Sequence, residues 1–396
     1  MPIPTPFHSR TAPLCESQEW RNWAGYLAAA LYEPSHEREY YAIRNSVALI
    51  DVSPLFKYDI RGPQAIAAMD RIVTRDVKRC AIGQVMYTPW CDDDGKVIDD
   101  GTLARLDENR FRLTAAESNL AWLQDCCYGF DTQAADVSDE LGTLAVQGPS
   151  SRPLLEKVLG ASSLAGLKYY HIADFNFAGM PLAISRTGYT GDLGYELWLR
   201  PEYAERVWDI VMEAGQDFGA LPAGIMALDI ARIEAGLFML QVDYITTRKA
   251  RIPTQRSSPY ELGLGWAVSL DKGDFVGRKA LLEEKNRGSK WKFVGLEVQW
   301  DPLEALFNQV DLTPQLAGRA SRLAIPVYME ERHIGQMTSH TFSPILKKYI
   351  AMGTIETPYA NYGDLVDLEF TVEYVRHKSQ ARIVKPPFYD PPRKRA

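Results

Sequence analysis

The sequence predicts an α+β protein with two similar lobes followed by a smaller β-rich domain. Its 396 residues are too many for one ordinary hydrophobic core, so more than one domain is expected. A strand pattern, a Gly-Pro turn and a helix pattern follow one another twice, at Gly62-Pro63 and again at Gly148-Pro149. After about residue 290, strand patterns continue without a long helix pattern. Together these observations give the fold class.

The elements before and around the first Gly-Pro turn are predicted from local patterns. Trp20, Trp23 and Leu27 recur at the spacing of one helix face, which predicts a helix near the start of the chain. Residues 57–61 predict a strand. Residues 64–73 predict the helix after it, because proline is favoured at a helix start.

The remaining elements follow from the same patterns of alternation, helical spacing and turn residues. They are a hairpin of strands 101–106 and 110–114, a strand at 143–147, a helix at 151–159, strands at 181–186 and 195–199, helices at 203–214 and 224–235, a polar linker at 286–290, and strand segments at 293–298, 323–329, 365–375 and 381–384. The last group predicts a small β-barrel or sandwich. The domain boundaries are therefore predicted at 1–285 for the two lobes and 291–396 for the β domain.

Composition and charge exclude several classes of function. A net charge of -7 argues against a nucleic-acid partner, which needs a clustered basic face. The five cysteines form no CxxC pair and the six histidines are scattered, so free thiols and no metal site are expected. The chain start has no signal-peptide pattern, and no apolar run approaches the roughly 20 residues of a membrane span. A soluble, cytoplasmic protein is predicted, with the basic end at 393–395 as a solvated tail.

The densest candidate site is the glycine-rich segment 186–196. Its three glycines would let the backbone approach a flat ligand closely, Tyr189 could stack on that ligand, and Glu196 could accept two hydrogen bonds from an amidine-like ring edge. The alternative interpretation is a hairpin with a glycine turn, and the residues alone leave both open.

A second candidate site is the pair Asp99-Asp100, after the acidic turn at 92–95. A carboxylate at a strand end can act as a base or stabilise a developing cation. The alternative is a solvated turn. A calcium loop is excluded because Leu103 stands where the twelfth-position glutamate is required.

At these two segments the chain resembles the glycine-cleavage T-protein (aminomethyltransferase) family. Further matching motifs extend the resemblance over nearly the whole sequence. The matching segments are the Asp-Asp pattern at 95–100, Arg-Thr-Gly-Tyr-Thr-Gly-x-x-Gly-Tyr-Glu at 186–196, Asp-x-x-Arg-x-Glu-Ala-Gly at 229–236, Pro-x-Glu-x-Gly-Leu-x-Trp at 259–266, Phe-Val-Gly-Arg at 275–278, and Thr-Ser-x-x-Phe-Ser-Pro-x-Leu-Lys-Lys at 338–348, with Val-Arg at 375–376.

The resemblance implies a three-lobed ring that holds tetrahydrofolate in a central cavity. It implies that Asp100 is the catalytic carboxylate, because the spacing from Tyr87 selects it over Asp99. Tyr189 and Glu196 would hold the pterin ring. The other folate-site residues implied by the resemblance are Tyr87, Trp266, Arg232 and Arg376, with Arg376 at the rim. For Arg232 a helix-surface ion pair is the alternative.

Three departures from the family pattern bear on the reaction. Pro54-Leu55 replaces the usual His-Met, Ala115-Ala116 stands where an asparagine is usual, and Leu228 replaces an arginine. The losses and the acidic net charge favour a tetrahydrofolate-dependent demethylase that acts on a small O-, S- or N-methyl compound over an aminomethyltransferase that docks a lipoyl carrier protein. A non-catalytic folate-binding protein is the second alternative. No GxGxxG follows an early strand, so a flavin domain is not expected.

Overall fold

The computed structural model describes residues 1–314 and 318–396. The α-helices of these residues are α1 (His8–Thr11), α2 (Glu37–Asn45), α3 (Ala65–Ile72), α4 (Leu120–Cys127), α5 (Ser151–Leu159), α6 (Ala204–Gly215), α7 (Ile225–Glu234), α8 (Arg278–Arg287) and α9 (Trp300–Asn308).

Strands make up three larger sheets and one hairpin. In chain order they are β1 (Trp20–Trp23), β2 (Tyr26–Ala29), β3 (Val47–Asp51), β4 (Phe56–Arg61), β5 (Val85–Cys91), β6 (Val97–Asp107), β7 (Arg110–Ala115), β8 (Gln133–Asp136), β9 (Gly142–Gln147), β10 (Ile172–Phe177), β11 (Met180–Ser185), β12 (Gly194–Leu199), β13 (Ala220–Pro222), β14 (Trp291–Val298), β15 (Ile325–Met329), β16 (Arg332–Ser343), β17 (Lys348–Glu356), β18 (Leu365–Val372) and β19 (Val375–Val384).

The first lobe is an antiparallel sheet in the order β5-β6-β7-β4-β8. Alternation along β4 turns Tyr58 and Ile60 toward the helices, where they pack with Met69 of α3 and Leu123 of α4. On the opposite face, Val85 of β5 and Ala104 of β6 pack against Ile172 of β10 and Trp198 of β12, so the first lobe meets the second there.

The second lobe is a sheet in the order β10-β11-β12-β9-β3-β13. Helices α5 and α6 cover one face, and α2 and α7 pack against the other. Strand β3 comes before the first lobe in the chain, while its partner β9 comes after it. The first lobe is therefore inserted between two neighbouring strands of the second, an arrangement that sequential patterns do not indicate.

The two Gly-Pro turns have the same physical cause. Gly62 has φ +143° and Gly148 has φ +129°, a region that side chains rarely adopt. A Cβ on Gly62 would lie 2.4 Å from the carbonyl oxygen of Asp131, and one on Gly148 would lie 2.6 Å from that of Ser46. Both lobes thus turn from strand to helix at a point where only glycine fits.

The third part is a closed barrel in the order β14-β17-β16-β15-β18-β19, with β14 paired to β19. This settles the choice between barrel and sandwich. Leu303 and Phe307 of α9 pack into the barrel core. The predicted segment 365–375 is a hairpin rather than one strand, because Glu373 and Tyr374 turn the chain with φ +50° and +64°.

Two other expectations were wrong. Residues 20–29 form the hairpin β1–β2 instead of a helix, since Ala24 and Gly25 make a two-residue turn with φ +49° and +91°. The basic end is docked rather than solvated. Arg393 donates to both carboxylate oxygens of Asp192, at 2.7 and 2.8 Å.

No helix within 1–314 and 318–396 is both long and apolar enough to span a bilayer. The same residues contain no group of three or more metal-ligating side chains that could hold an ion. All five cysteines are free thiols, four of them buried.

A buried ion pair in the second lobe is hydrogen-bonded to the barrel. Glu234 at the end of α7 accepts from the Arg44 guanidinium at 2.6 Å, the Tyr40 hydroxyl at 2.6 Å and the Ser343 hydroxyl of β16 at 2.5 Å. Glu234 is 0% exposed and Arg44 is 2% exposed. A buried charge is tolerated only when it is paired, so this contact fixes α2, α7 and β16 relative to one another.

Glu234→Gln should strongly destabilise the protein. The substitution leaves the Arg44 guanidinium buried without its main counter-charge, which costs about 3–5 kcal/mol. Urea and thermal unfolding measure the loss. The control is Glu33→Gln, which breaks the exposed Glu33–Arg38 pair and should cost less than about 1 kcal/mol. Equal effects of the two substitutions would contradict the role assigned to Glu234.

Candidate active site

A cavity of about 650 Å³ lies where the two lobes and the barrel meet. The first lobe contributes Tyr87, Asp100 and residues 114–117, and the second contributes residues 187–190 and Glu196. The barrel side contributes other residues, among them Phe293, Tyr362 and 385–387. The segment after α7 and the loop at 262–266 complete the wall. The volume is that of a typical small-molecule site.

Asp100 points into this cavity from β6. Its Oδ2 accepts a hydrogen bond from the Tyr87 hydroxyl at 2.8 Å, and its Oδ1 accepts one from the Tyr244 hydroxyl. Burial raises the pKa of Asp100, while the hydrogen bonds from Tyr244 and Tyr87 oppose that rise by stabilising the charged form. The cavity thus contains a carboxylate with both oxygens in fixed directions.

Asp99 points away from the cavity into the first lobe. Its oxygens accept from the backbone nitrogens of Asp100 at 2.8 Å and Glu117 at 3.1 Å, and from the Asn119 amide at 2.9 Å. Burial and then the charge of Asp100 raise the pKa of Asp99 well above its ordinary value. Asp99 therefore shapes the turn that carries Asp100 and does not line the cavity.

Glu196 lies across the cavity on β12. Its Oε2 accepts from the Thr187 hydroxyl at 2.5 Å and the Ser185 hydroxyl at 3.4 Å. Burial raises the pKa of Glu196, and these hydroxyls together with the charge of Lys57 oppose that rise. Among the described residues no group donates to Oε1, so one oxygen of Glu196 is open to a ligand.

The glycine-rich segment is organised around the buried side chain of Gln147. The Gln147 amide nitrogen donates to the carbonyls of Thr187 at 3.1 Å and Tyr195 at 3.2 Å. A Cβ on Gly188 would lie 2.0 Å from the Gln147 Oε1, and one on Gly194 would lie 2.2 Å from the same atom. These two glycines are therefore required by packing inside the protein, in addition to any approach of a ligand.

Aromatic rings form part of the cavity wall. Tyr87 stacks on Trp266 with ring centroids 6.1 Å apart, and Trp266 is 63% exposed. The Tyr189 hydroxyl donates to the carbonyl of Phe238, which holds its ring against the segment after α7. The structure thus brings Tyr87, Asp100, Tyr189, Glu196 and Trp266 to one cavity.

Two of the predicted site residues lie elsewhere. Arg232 is 0% exposed and pairs with Asp243 at 2.6 Å and Asp229 at 3.1 Å, so it forms a buried ion pair, not a surface pair or a cavity group. Arg376 lies on the β18–β19 hairpin with its side chain 78% exposed, 3.6 Å from Glu369. Neither residue lines the cavity.

The positions that depart from the family pattern do reach the cavity. Leu55, Ala115, Ala116 and Leu228 all line it. All four side chains are apolar, and the pair Ala115-Ala116 and Leu228 stand where the pattern that the sequence resembles has an asparagine and an arginine.

Sequence reasoning missed Tyr244 and Gln147. Tyr244 contacts Asp100 across 144 positions of the chain, and Gln147 bonds to Thr187 across 40. A local pattern contains no signal for such contacts. The one available hint for Gln147 is its place directly before the Gly148-Pro149 turn.

Comparison with known proteins identifies the family. The model of the GCVT N-terminal domain matches residues 7–272, and that of the glycine cleavage T-protein C-terminal barrel domain matches residues 309–390. The solved structure of glycine cleavage system aminomethyltransferase T from Bartonella henselae has a TM-score of 0.82 at 24% identity, over 98% of this chain and 99% of that one. This likeness shows the same fold.

Curated relatives indicate the same family. The aminomethyltransferase of Halothermothrix orenii is 36% identical over 356 residues, covering 88% of this chain and 90% of that protein. The aminomethyltransferase of Bacillus subtilis is 31% identical, covering 90% and 91%. The trimethylamine-oxide aldolase of Ruegeria pomeroyi is 33% identical, covering 99% of this chain and 47% of that protein. The chain belongs to the glycine cleavage T-protein (aminomethyltransferase) family.

Proposed function

We propose that this protein transfers a one-carbon unit to tetrahydrofolate in the cavity between the lobes and the barrel, and that the unit is an aminomethyl group delivered by a lipoyl carrier protein. The observation that carries the proposal is the pairing, in one cavity, of the doubly hydrogen-bonded carboxylate of Asp100 with the half-open carboxylate of Glu196.

The donor set fits a reduced folate. Oε1 of Glu196 is the acceptor that the amino-pyrimidine edge of a pterin requires, and a charge-assisted bond there is about twice as strong as a neutral one. Tyr189, Tyr87 and Trp266 offer aromatic surface for flat rings. A cavity of about 650 Å³ has room for such a ligand.

Tetrahydrofolate, when bound, supplies the amine nitrogen that accepts the carbon. The role of Asp100 is to hold that amine and to stabilise the positive charge that develops as the carbon is transferred. Because Tyr87 and Tyr244 fix both of its oxygens, the carboxylate needs little reorganisation during the reaction. Asp100 is itself surrounded by protein, and this burial strengthens the electrostatic effect.

The second part of the proposal concerns the identity of the carbon donor. The expectation from the departures was a demethylase, but most of the relatives are named aminomethyltransferase and cover about nine-tenths of the chain. The net charge of -7 does not by itself exclude a carrier protein, because docking depends on local rather than net charge, and Arg21 and Lys385 lie at the cavity. A cytoplasmic location stays a prediction.

Demethylation of a small methyl compound is the second candidate. The specific observation that favours it is the apolar wall at Leu55, Ala116 and Leu228. Such a wall suits an uncharged methyl donor better than a lipoyl-bound amine. The trimethylamine-oxide aldolase that matches 99% of the chain is named for a reaction of a methylated amine. A non-catalytic folate-binding role is less well supported, since these relatives carry enzyme names.

Loss of the Glu196 charge should weaken folate binding. Tetrahydrofolate should raise the thermal midpoint of the wild type, since a ligand that binds only the native state stabilises it. Glu196→Gln removes a charge-assisted bond worth about 1.5–3 kcal/mol, so most of the shift should disappear. Isothermal calorimetry gives the affinity directly. Equal thermal shifts for the two proteins would exclude Glu196 from the folate site.

Asp100→Asn should separate binding from turnover. The variant keeps the shape of the side chain, so folate should still bind, while kcat should fall on the order of 100-fold or more. Asp99→Asn is the comparison. It disturbs a buried acceptor and should lower the melting temperature, yet kcat of the folded protein should fall far less. Equal losses of kcat in both variants would make the assignment of Asp100 wrong.

The reaction products distinguish the two candidate donors. With an aminomethylated lipoyl carrier, the proposed enzyme should form 5,10-methylenetetrahydrofolate and ammonia. A demethylase should instead form 5-methyltetrahydrofolate from a small methyl donor without a carrier. The products differ in carbon oxidation state, so mass spectrometry separates them. Methyl product from a donor panel, together with inactivity toward the carrier, would replace the aminomethyl proposal by the demethylase.

A further inference from the structure

Asp100 accepts hydrogen bonds from two tyrosine hydroxyls, and one of these tyrosines lies in a distant part of the chain. Tyr87 lies on β5, next to Asp100 on the same sheet, and donates to Oδ2 at 2.8 Å. Tyr244 lies in the irregular segment after α7 and donates to Oδ1. Tyr244 is only 3% exposed. It belongs to none of the motifs that carry the family resemblance.

The position of Tyr244 is set by an adjacent buried ion pair. Asp243 is bound by Arg232 at 2.6 Å, by the Thr338 hydroxyl at 2.7 Å and by the Ser339 hydroxyl at 2.6 Å. The carbonyl of Tyr244 itself accepts from the backbone nitrogen of Gln241 at 2.8 Å. Tyr244 is therefore held by α7 and by the barrel strand β16, while Asp100 belongs to the first lobe.

The groups that face Asp100 are mostly acidic or phenolic. They are Asp243 and Tyr244 from the segment after α7, Tyr87 from β5, and Tyr189 from the glycine-rich segment, while the adjacent Asp99 points away but is close enough for the two charges to interact. Burial raises the pKa of Asp100 most, and the charge of Asp243 adds to that rise. The hydroxyls of Tyr244 and Tyr87 act in the opposite direction. Burial, with the charge of Asp100 next, raises the pKa of Tyr244 itself, so its hydroxyl keeps its proton and remains a donor.

We propose that Tyr244 is a positioning residue that orients the Asp100 carboxylate and keeps it ionised near neutral pH. The inference rests on the proposed one-carbon transfer, in which Asp100 must carry a negative charge. It also gives Arg232 an indirect role in the site, since the Arg232–Asp243 ion pair holds the segment that carries Tyr244.

The test is Tyr244→Phe, which removes one oxygen atom. Loss of a donor to the charged form should raise the pKa of Asp100 by about one unit. The carboxyl-carbon NMR titration of aspartate-labelled protein without any ligand measures this, with the Asp100 signal assigned by its absence in Asp100→Asn. The acid limb of the kcat profile should move to higher pH by the same amount, with activity approaching the wild-type level at high pH.

Tyr349→Phe is the matched control. It removes a buried barrel hydroxyl that contacts His340 and not Asp100, and it should leave the Asp100 titration unchanged. Melting curves show whether each variant is folded. An unchanged Asp100 titration in folded Tyr244→Phe, with a lower kcat or melting temperature, would overturn the inference and leave Tyr244 a merely structural residue.

Failure of the proposed function would look different. In that case wild-type protein would neither bind tetrahydrofolate nor turn over any donor, while the ligand-free NMR titration would still report whether Tyr244 controls the ionisation of Asp100.

Discussion

The position of the barrel on the second lobe depends on two charged residues near the end of α7. Arg232 and Glu234 are both completely buried. Two residues apart on a helix, they point in different directions. Glu234 meets Arg44 and Ser343, whereas Arg232 meets Asp243 and Ser339. Each charge requires its partner, since an unpaired one in this environment costs several kcal/mol. Contacts along one helical turn thereby connect the second lobe, the barrel and the segment that carries Tyr244, and the cavity lies beside this turn.

Local elements of the fold could be predicted because their causes are local. The helix after Gly148-Pro149 was predicted at its observed limits, Ser151–Leu159, since a glycine-dependent turn and a helical spacing follow each other directly. The insertion of the first lobe could not be predicted, because the pairing of β3 with β9 leaves no trace in either strand alone. The N-terminal helix was wrong because three residues at helical spacing cannot outweigh a two-residue turn at Ala24-Gly25. Arg393 looked solvated because its partner, Asp192, is far away in sequence.

In the candidate site, too, residues in local motifs could be predicted, whereas residues that depend on distant contacts could not. The predicted residues that line the cavity lie on strands or in contiguous motifs, as Asp100 and Glu196 do. Arg232 shares its motif with Glu234 and was placed at the site by resemblance, yet its charge is used inside the protein. Arg376 lies on an exposed hairpin, and the sequence does not indicate how far this hairpin is from the cavity. The roles of Gln147 and Tyr244 depend on contacts between separate parts of the chain, so they required the three-dimensional structure.

The insertion of the first lobe also determines the order in which the chain can fold during synthesis. Strand β3 leaves the ribosome first, but the strands on either side of it, β9 and β13, are made only after the complete first lobe. The strands of the first-lobe sheet all lie in one continuous stretch of the chain, so this lobe can fold as soon as that stretch has been synthesised. Until β9 and β13 follow, β3 and α2 expose apolar surface. Such delayed pairing is slow and prone to aggregation. A nascent chain halted between β8 and β9 is therefore the species that most needs a chaperone.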